Sequence, residues 1–344
     1  MYAKLKSDKV IIGKEAASQL VNYGREKRDT IELSLEEAAF LIEREKIDVI
    51  DRDDRLDFER FIKKASQISH NFELKYIVYK DLRERGYYLQ PGSTDFRVYP
   101  RGGGPGETPA EYFVHVISER EPLELGELSE QLKMVENVRK RMILAIVDEE
   151  SDITFYEVKL ARLRGDEEPF SLKVKSKDAT LIQDRVIIWD EETSNDIFDA
   201  GFFGKLLDEK RLQLSLVEAA YLIKNGIIKV VDLCGNELSL EDFVEGAIQI
   251  EPDFNKKFDV YKDLREKSMT VKTGFKFGTH FRVYDARKNM HSRYLVHAIT
   301  PEYVFSLPEM SRAIRLAHSV RKRMLFAYKR DGKIEYIDIG RLKL

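Results

Sequence analysis

The stretch IELSLEEAAFLI at residues 31–42 recurs as LQLSLVEAAYLI at 212–223. Three further pairs keep the same order: VYKDLRE at 78–84 and 260–266, FRVY at 96–99 and 281–284, VRKRM at 138–142 and 320–324. The leading segments also agree, AKLKSDKVII at 3–12 against ATLIQDRVII at 179–188. The offset between partners drifts from 176 to 185 and returns to 182, so loops change length while elements persist. A solenoid repeats at about 20–50 residues. The 344-residue chain is instead one domain-sized unit written twice.

Each unit reads as mixed α/β. Ser34 and Ser215 are N-cap candidates, and Leu35, Ala38, Ala39 and Ile42 follow helical spacing. In the second unit FDVYKDLREK (258–267) and SLPEMSRAIRLAHS (306–319) read as helices. HFRVYDA (280–286) and RYLVHAI (293–299) read as strands, and KRMLFAYKR (322–330) with KIEYIDI (333–339) as a hairpin around Asp331-Gly332. The expected layout is an N-terminal α/β subdomain at 1–72 and a larger α/β domain at 73–163. A polar connector follows at 164–177, then the same pair again at 178–254 and 255–344.

Hydrophobic residues at 43% exclude disorder as the main state. Cys234 is the only cysteine, which excludes a disulfide-stapled fold. No run of about 18 apolar residues exists, so no membrane span is expected. The N-terminal MYAKLKSDKVIIGKE carries charges where a signal peptide needs an apolar core. A cytoplasmic location is the expectation.

Charge separates the two copies. Residues 255–344 hold 21 Lys and Arg against 9 Asp and Glu, a net of +12, whereas the matching 73–162 hold 13 against 17, a net of −4. The chain as a whole is at −3. A concentrated basic field attracts polyanions; the bland alternative is a solvated basic surface. The hairpin tips sharpen the contrast, Asp148-Glu149-Glu150-Ser151-Asp152 in the first copy and Lys329-Arg330-Asp331-Gly332-Lys333 in the second. An acidic tip and a basic domain are complementary, which suggests docking between two chains. A solvated loop is the alternative.

The duplication permits an internal comparison. Both copies keep a tyrosine ending FRVY, Tyr99 and Tyr284, and a lysine in VRKRM, Lys140 and Lys322. Aligning Tyr112 with Tyr294 puts Pro109 opposite His291. The first copy is also three residues shorter before FRVY, with PGSTDF (91–96) in place of the loop ending KTGFKFGTHF (272–281). Only the second copy therefore holds a Tyr, a His and a Lys in a basic field. One working and one scaffolding copy of an enzyme would look like this.

VYKDLREKSMTVKTGFKFGTHFRVY (260–284), with HSRYLVHA and VRKRMLFAY after it, resembles the catalytic domain of archaeal tRNA-splicing (tRNA-intron) endonucleases in their two-repeat, homodimeric form. The likeness runs over essentially the whole chain. It implies a tandem α/β fold in which each repeat pairs a small N-terminal subdomain with an endonuclease-like domain. It implies cleavage of precursor tRNA at bulge–helix–bulge junctions, with no metal and no cofactor, leaving 2′,3′-cyclic phosphate and 5′-hydroxyl ends. The family triad falls on Tyr284, His291 and Lys322. Arg315 matches one of two arginines that sandwich a bulge base, and Arg341 matches the other. The first repeat departs from the motif at the histidine. In the family that repeat is non-catalytic, and its acidic loop, here Asp148 to Asp152, docks on the partner's catalytic repeat.

The chemistry also stands on its own terms. RNA carries its nucleophile, the 2′-hydroxyl. Cleavage needs a base for that proton, an acid for the leaving 5′-oxygen and a cation for the phosphorane. Histidine, ordinarily titrating near 6.5, suits the acid. A tyrosine, ordinarily near 10, serves as base only where cations favour its phenolate. Arg312 and Arg315, three apart, project from similar sides of one helix. His70, His115, His280, His297 and His318 show no metal-ligand spacing. His280 faces Asp95 in the alignment and is a candidate to line the site. Two rival readings remain at this point: a non-catalytic RNA-binding subunit, and a metal-dependent nuclease of related fold, for which Asp285 is the only nearby acid.

Overall fold

The structure is a computed structural model, and residues 1–16, 18–165, 177–285 and 291–344 are described. Most of the connector expected at 164–177, and Ala286 at the end of an expected strand, lie outside them. The chain forms two compact units, one of residues 1–159 with 304–308 and 341–344, the other of 160–303 with 309–340.

In the first unit the N-terminal subdomain runs β1 (Tyr2–Lys6), β2 (Lys9–Gly13), β3 (Arg25–Lys27), β4 (Thr30–Leu33), α1 (Leu35–Glu43), β5 (Asp48–Asp51), β6 (Asp54–Leu56) and α2 (Phe58–Ile68). Its sheet has the order β3-β4-β2-β1-β5-β6, with β1 and β5 parallel. The larger domain follows as α3 (Phe72–Glu84), β7 (Tyr88–Pro91), β8 (Phe96–Tyr99), β9 (Tyr112–Ser118), β10 (Leu123–Glu124), α4 (Leu125–Asn137), β11 (Arg141–Val147) and β12 (Ile153–Leu160). Strands β9 and β11 are parallel and joined through α4; the other neighbours are antiparallel.

The second repeat builds the same parts. Its subdomain holds β13 (Lys177–Ile182), β14 (Arg185–Ile188), α5 (Glu191–Gly201), β15 (Lys205–Leu206), β16 (Leu212–Ser215), α6 (Leu216–Lys224), β17 (Ile228–Val231), β18 (Glu237–Leu238) and α7 (Leu240–Ile250). Then come α8 (Phe254–Glu266), β19 (Thr270–Thr273), β20 (Phe281–Tyr284), β21 (Tyr294–Ala298), β22 (Val304–Phe305), α9 (Leu307–Ser319), β23 (Arg323–Arg330) and β24 (Lys333–Leu342). The strand order is β19-β20-β21-β23-β24. The duplicated α/β architecture expected from the motifs is therefore the architecture observed.

Local chemistry explains the elements. Ser34 and Glu37 form a capping box: Glu37 N–H donates to Ser34 Oγ at 3.2 Å, and Ser34 N–H to Glu37 Oε2 at 2.9 Å. Ser215 and Glu218 repeat it. Each glutamate also reaches sideways, Glu37 accepting from Gly24 N–H at 2.9 Å and Glu218 from Gly204 N–H at 2.8 Å. Both glycines sit at positive φ, and a Cβ on Gly204 would lie 2.3 Å from Gln213 O, so only glycine fits. The capping glutamates thus pin a loop as well as a helix. Helix α9 buries Leu307, Met310, Ile314 and Ala317, a 3-4-3 spacing, and turns Arg312 and Arg315 to solvent. The hairpin β23–β24 turns at Asp331 (φ 49°) and Gly332 (φ 76°), two left-handed residues as a two-residue hairpin prefers.

Candidate active site

Backbone bonds gather three strand ends of the second unit into one row. Arg293 N–H donates to Val283 O at 2.9 Å, and Arg323 N–H to Arg293 O at 3.0 Å. Tyr284 is the residue after Val283, Ser292 the one before Arg293, and Lys322 the one before Arg323. Lys322 Nζ donates to Ser292 O at 2.8 Å, which anchors the residue next to His291. Tyr284 is 8% exposed at the end of β20, whereas His291 is exposed. Of the expected residues, the row brings together the chain positions of Tyr284, His291 and Lys322. Arg315 is exposed on α9, the helix leading into Lys322. Arg341 is exposed near the end of β24.

The two copies differ at the tyrosine. In the first repeat Tyr99 OH donates to Gln90 Oε1 at 3.0 Å, and its ring meets Tyr88 edge-on at 5.5 Å. In the second repeat the register places Thr270 and Lys272 at those two positions. The Tyr284 hydroxyl makes no hydrogen bond among the described residues. One phenol is tied into the frame by Gln90, and its twin has no such tie among the described residues.

Cations surround the row. Burial first, then the like charges of Lys276 and Arg282, hold the Lys322 amine below the ordinary lysine value. Lys272, on β19, is brought down to about 8 by burial; Glu218 pulls the other way, and Arg265 and Arg282 add to the fall. Lys272 lies 4.3 Å from the centroid of the Phe202 ring and donates to Gly204 O. Arg282 is half-buried, and its Nε has no partner among the described residues. Phe277 receives two ammonium groups, Lys276 at 5.0 Å and Lys322 at 5.8 Å from its centroid. Arg293 pairs with Asp285 at 2.9 Å and Arg323 with Asp338 at 2.6 Å, so these two nearby acids are already engaged. Among the described residues no three His, Cys, Asp or Glu gather to hold an ion.

Sequence reasoning passed over Arg282, Lys276 and Phe277. Arg282 has a twin, Arg97, in the shared FRVY motif, as Tyr284 and Lys322 have theirs, so the paired comparison could have offered it too. The signal available for the other two was the extra length of 272–281 in the second copy.

His280 packs inward. Its ring stacks on His297 at 4.2 Å and 15°, and its Nδ1 accepts from Ala298 N–H at 2.9 Å. Burial, then His297, Lys257 and Lys256, push it down to about 3; burial also lowers His297. The first repeat builds the same junction with a carboxylate: Asp95 Oδ2 accepts from Val116 N–H at 2.8 Å and from His115 Nδ1 at 3.0 Å. Lys75 pairs with Asp95 at 3.2 Å. His280 is thus the counterpart of a structural aspartate.

Comparison with known proteins agrees with the duplication. The model of the tRNA intron endonuclease catalytic C-terminal domain matches residues 72–155 and 254–336. The model of the N-terminal domain matches 1–62 and 178–244. A tRNA-splicing endonuclease of Methanosarcina mazei is 54% identical over 352 residues, covering 100% of this chain and 99% of its own. One of Methanococcoides burtonii is 52% identical with full coverage of both, and one of Haloarcula marismortui is 34% identical over 99% of each. Both domain models match twice and the likeness runs end to end, so the chain belongs to the tRNA intron endonuclease family.

Proposed function

We propose that the second repeat removes introns by cutting precursor tRNA at bulge–helix–bulge junctions without a metal ion. The 2′-hydroxyl beside the scissile phosphate attacks phosphorus while Tyr284 takes its proton. The bond to the 5′-oxygen breaks, and His291 gives that oxygen a proton. One proton leaves the 2′-oxygen and one arrives on the 5′-oxygen, so the products are a 2′,3′-cyclic phosphate and a 5′-hydroxyl. The Lys322 ammonium offsets the charge that builds on the phosphorane. Arg315 stacks on an unpaired bulge base, with Arg341 as its companion.

The working form is a homodimer. The tip of the β11–β12 hairpin is closed on itself by Asp148 Oδ1, which accepts from Glu150 N–H at 3.0 Å and Asp152 N–H at 2.9 Å. Glu149, Glu150 and Asp152 stand exposed. That preformed acidic tip suits docking on the basic catalytic repeat of a second copy.

The observation carrying this reading is the contrast between the Tyr99 hydroxyl, tied to Gln90, and the Tyr284 hydroxyl, which bonds nothing among the described residues, beside a Lys322 that feels the charges of Lys276 and Arg282. The test is incubation of the purified protein with a bulge–helix–bulge RNA in EDTA, followed by analysis of the fragment ends. Cyclic phosphate and 5′-hydroxyl ends are expected. Loss of cutting in EDTA, or 5′-phosphate ends, would overturn the reading.

A further inference from the structure

Phe275 is 88% exposed, more than any other large hydrophobic side chain among the described residues. A loose loop is not the cause. Residues 275–277 form a 3₁₀ turn between two glycines. Gly274 N–H donates to His280 O at 2.9 Å, Phe277 N–H to Gly274 O at 2.8 Å, and Gly278 N–H to Phe275 O at 2.9 Å. A Cβ on Gly274 would lie 2.4 Å from Thr279 Oγ1 and 2.8 Å from the Phe281 carbonyl carbon. Gly278 sits at φ +64°. The turn is built, and it holds an aromatic ring out in water.

Its surroundings identify the occupant. Phe277, two residues on, lies against both Lys276 and Lys322, which ties the turn to the proposed catalytic lysine. The buried Arg282 Nε on the next strand is a donor without an acceptor among the described residues. Phe275 also borders a cleft of about 410 Å³ that Lys257, Lys272 and His280 help to line. A protein partner would need a contiguous apolar patch of several hundred Å². Phe275 instead stands exposed among Thr273, Gly274, Lys276 and Gly278, with Phe277 of the same turn half-buried. That combination suits one ligand chemistry, an unpaired nucleotide, whose base offers a flat face and whose phosphate needs cations. The first repeat carries Ser93, Thr94 and Asp95 before its FRVY, with no aromatic and no such turn.

We propose that the 274–278 turn is a stacking platform for an unpaired base of the substrate RNA, with Phe275 as its face and Lys276 and Arg282 holding the adjoining phosphate. This rests on reading the neighbouring row as an RNA-cleaving centre. It adds a contact distinct from the one proposed for Arg315.

The experiment reads stacking without cleavage. Trp189 is the only tryptophan, so the double variant Trp189→Phe, Phe275→Trp carries a single reporter on the turn. It is titrated with a bulge–helix–bulge RNA blocked by 2′-deoxy at the scissile positions, and with a fully paired duplex of equal length. Saturable quenching by the bulged RNA and little by the duplex is expected. No quenching, or equal quenching by both, overturns the proposal. Phe275→Ala should weaken binding of the blocked RNA roughly 5- to 100-fold, the usual worth of one stacked base, and leave the salt slope unchanged. Phe275→Tyr should restore binding. Unaltered affinity in Phe275→Ala, or no recovery in Phe275→Tyr, also counts against it. If wild-type protein cuts RNA and the reporter stays silent, stacking alone has failed. If the reporter quenches and wild-type protein does not cut, the cleavage reading has failed and the platform stands.

Discussion

Replacing Lys322 by Met should separate catalysis from binding. The phosphorane carries one charge more than the diester it forms from. An ammonium about 4 Å from that extra charge, at an effective dielectric near 20, attracts it by about 4 kcal/mol. Solvent reaches the half-exposed Lys322 and trims the figure, so the expected fall in the cleavage step is about 10²- to 10³-fold. Ground-state binding loses much less. Lys276 and Lys322 flank one ring at 5.0 and 5.8 Å, which puts their nitrogens within about 11 Å of each other. At that separation two like charges repel by roughly 0.4 kcal/mol in a water-like dielectric, so removing one relieves a small strain as it deletes a phosphate contact. Affinity should fall only a few-fold, and the salt slope by about 0.7 to 0.9. The lowered Lys322 pKa also places loss of its charge, and an alkaline fall in rate, below the ordinary lysine range. The assay is single-turnover cleavage with the enzyme in saturating excess, beside filter binding of 2′-deoxy-blocked RNA. A rate within tenfold of wild type, or a Kd that rises by the factor the rate falls, would refute the reasoning.

The stacked His280–His297 pair is neutral in the fold, with Lys256, Lys257 and Asp253 around it. Unfolded histidine binds a proton near pH 6.5 and His280 only near about 3, so stability is whole above 6.5 and drains as pH falls through that window. The drain is up to about 1.4 kcal/mol per pH unit for each histidine. His280→Asp recreates the Asp95–His115 pair and should flatten the dependence in urea melts at pH 7 and 5; identical slopes would count against it. Charge reversal across Asp148 to Asp152 should halve the mass seen in light scattering, and an unchanged dimer would remove the docking role. Arg315→Ala should reduce binding of bulged RNA about 5-fold or more and leave duplex binding alone; equal loss on both would make it a general phosphate contact.

The duplication was legible because its motifs are long and ordered, and the Asp331-Gly332 hairpin because only residues tolerant of positive φ suit that turn. The capping serines were legible for the same local reason. What Glu37 and Glu218 do sideways was not, since their bonds to Gly24 and Gly204 cross from helix to loop and depend on tertiary placement. At the site, Tyr284, His291 and Lys322 stood out from the paired comparison together with the family resemblance. Arg282 did not, because only the fold brings its charge to bear on Lys322. Nor did the sequence reveal that Asp95 and His280 occupy one structural role with opposite charge chemistry. That equivalence rests on two matching backbone N–H bonds, from Val116 and Ala298. The row linking Val283, Arg293 and Arg323 is likewise a product of strand register.

The most direct test is the cleavage rate of His291→Ala on a bulge–helix–bulge RNA under single-turnover conditions, with binding measured alongside. A general acid contributes about 10²- to 10⁴-fold. The variant is predicted to cut at least a hundredfold more slowly and bind RNA as wild type does. Cutting at the wild-type rate would show that the imidazole present only in the second repeat takes no part in the reaction.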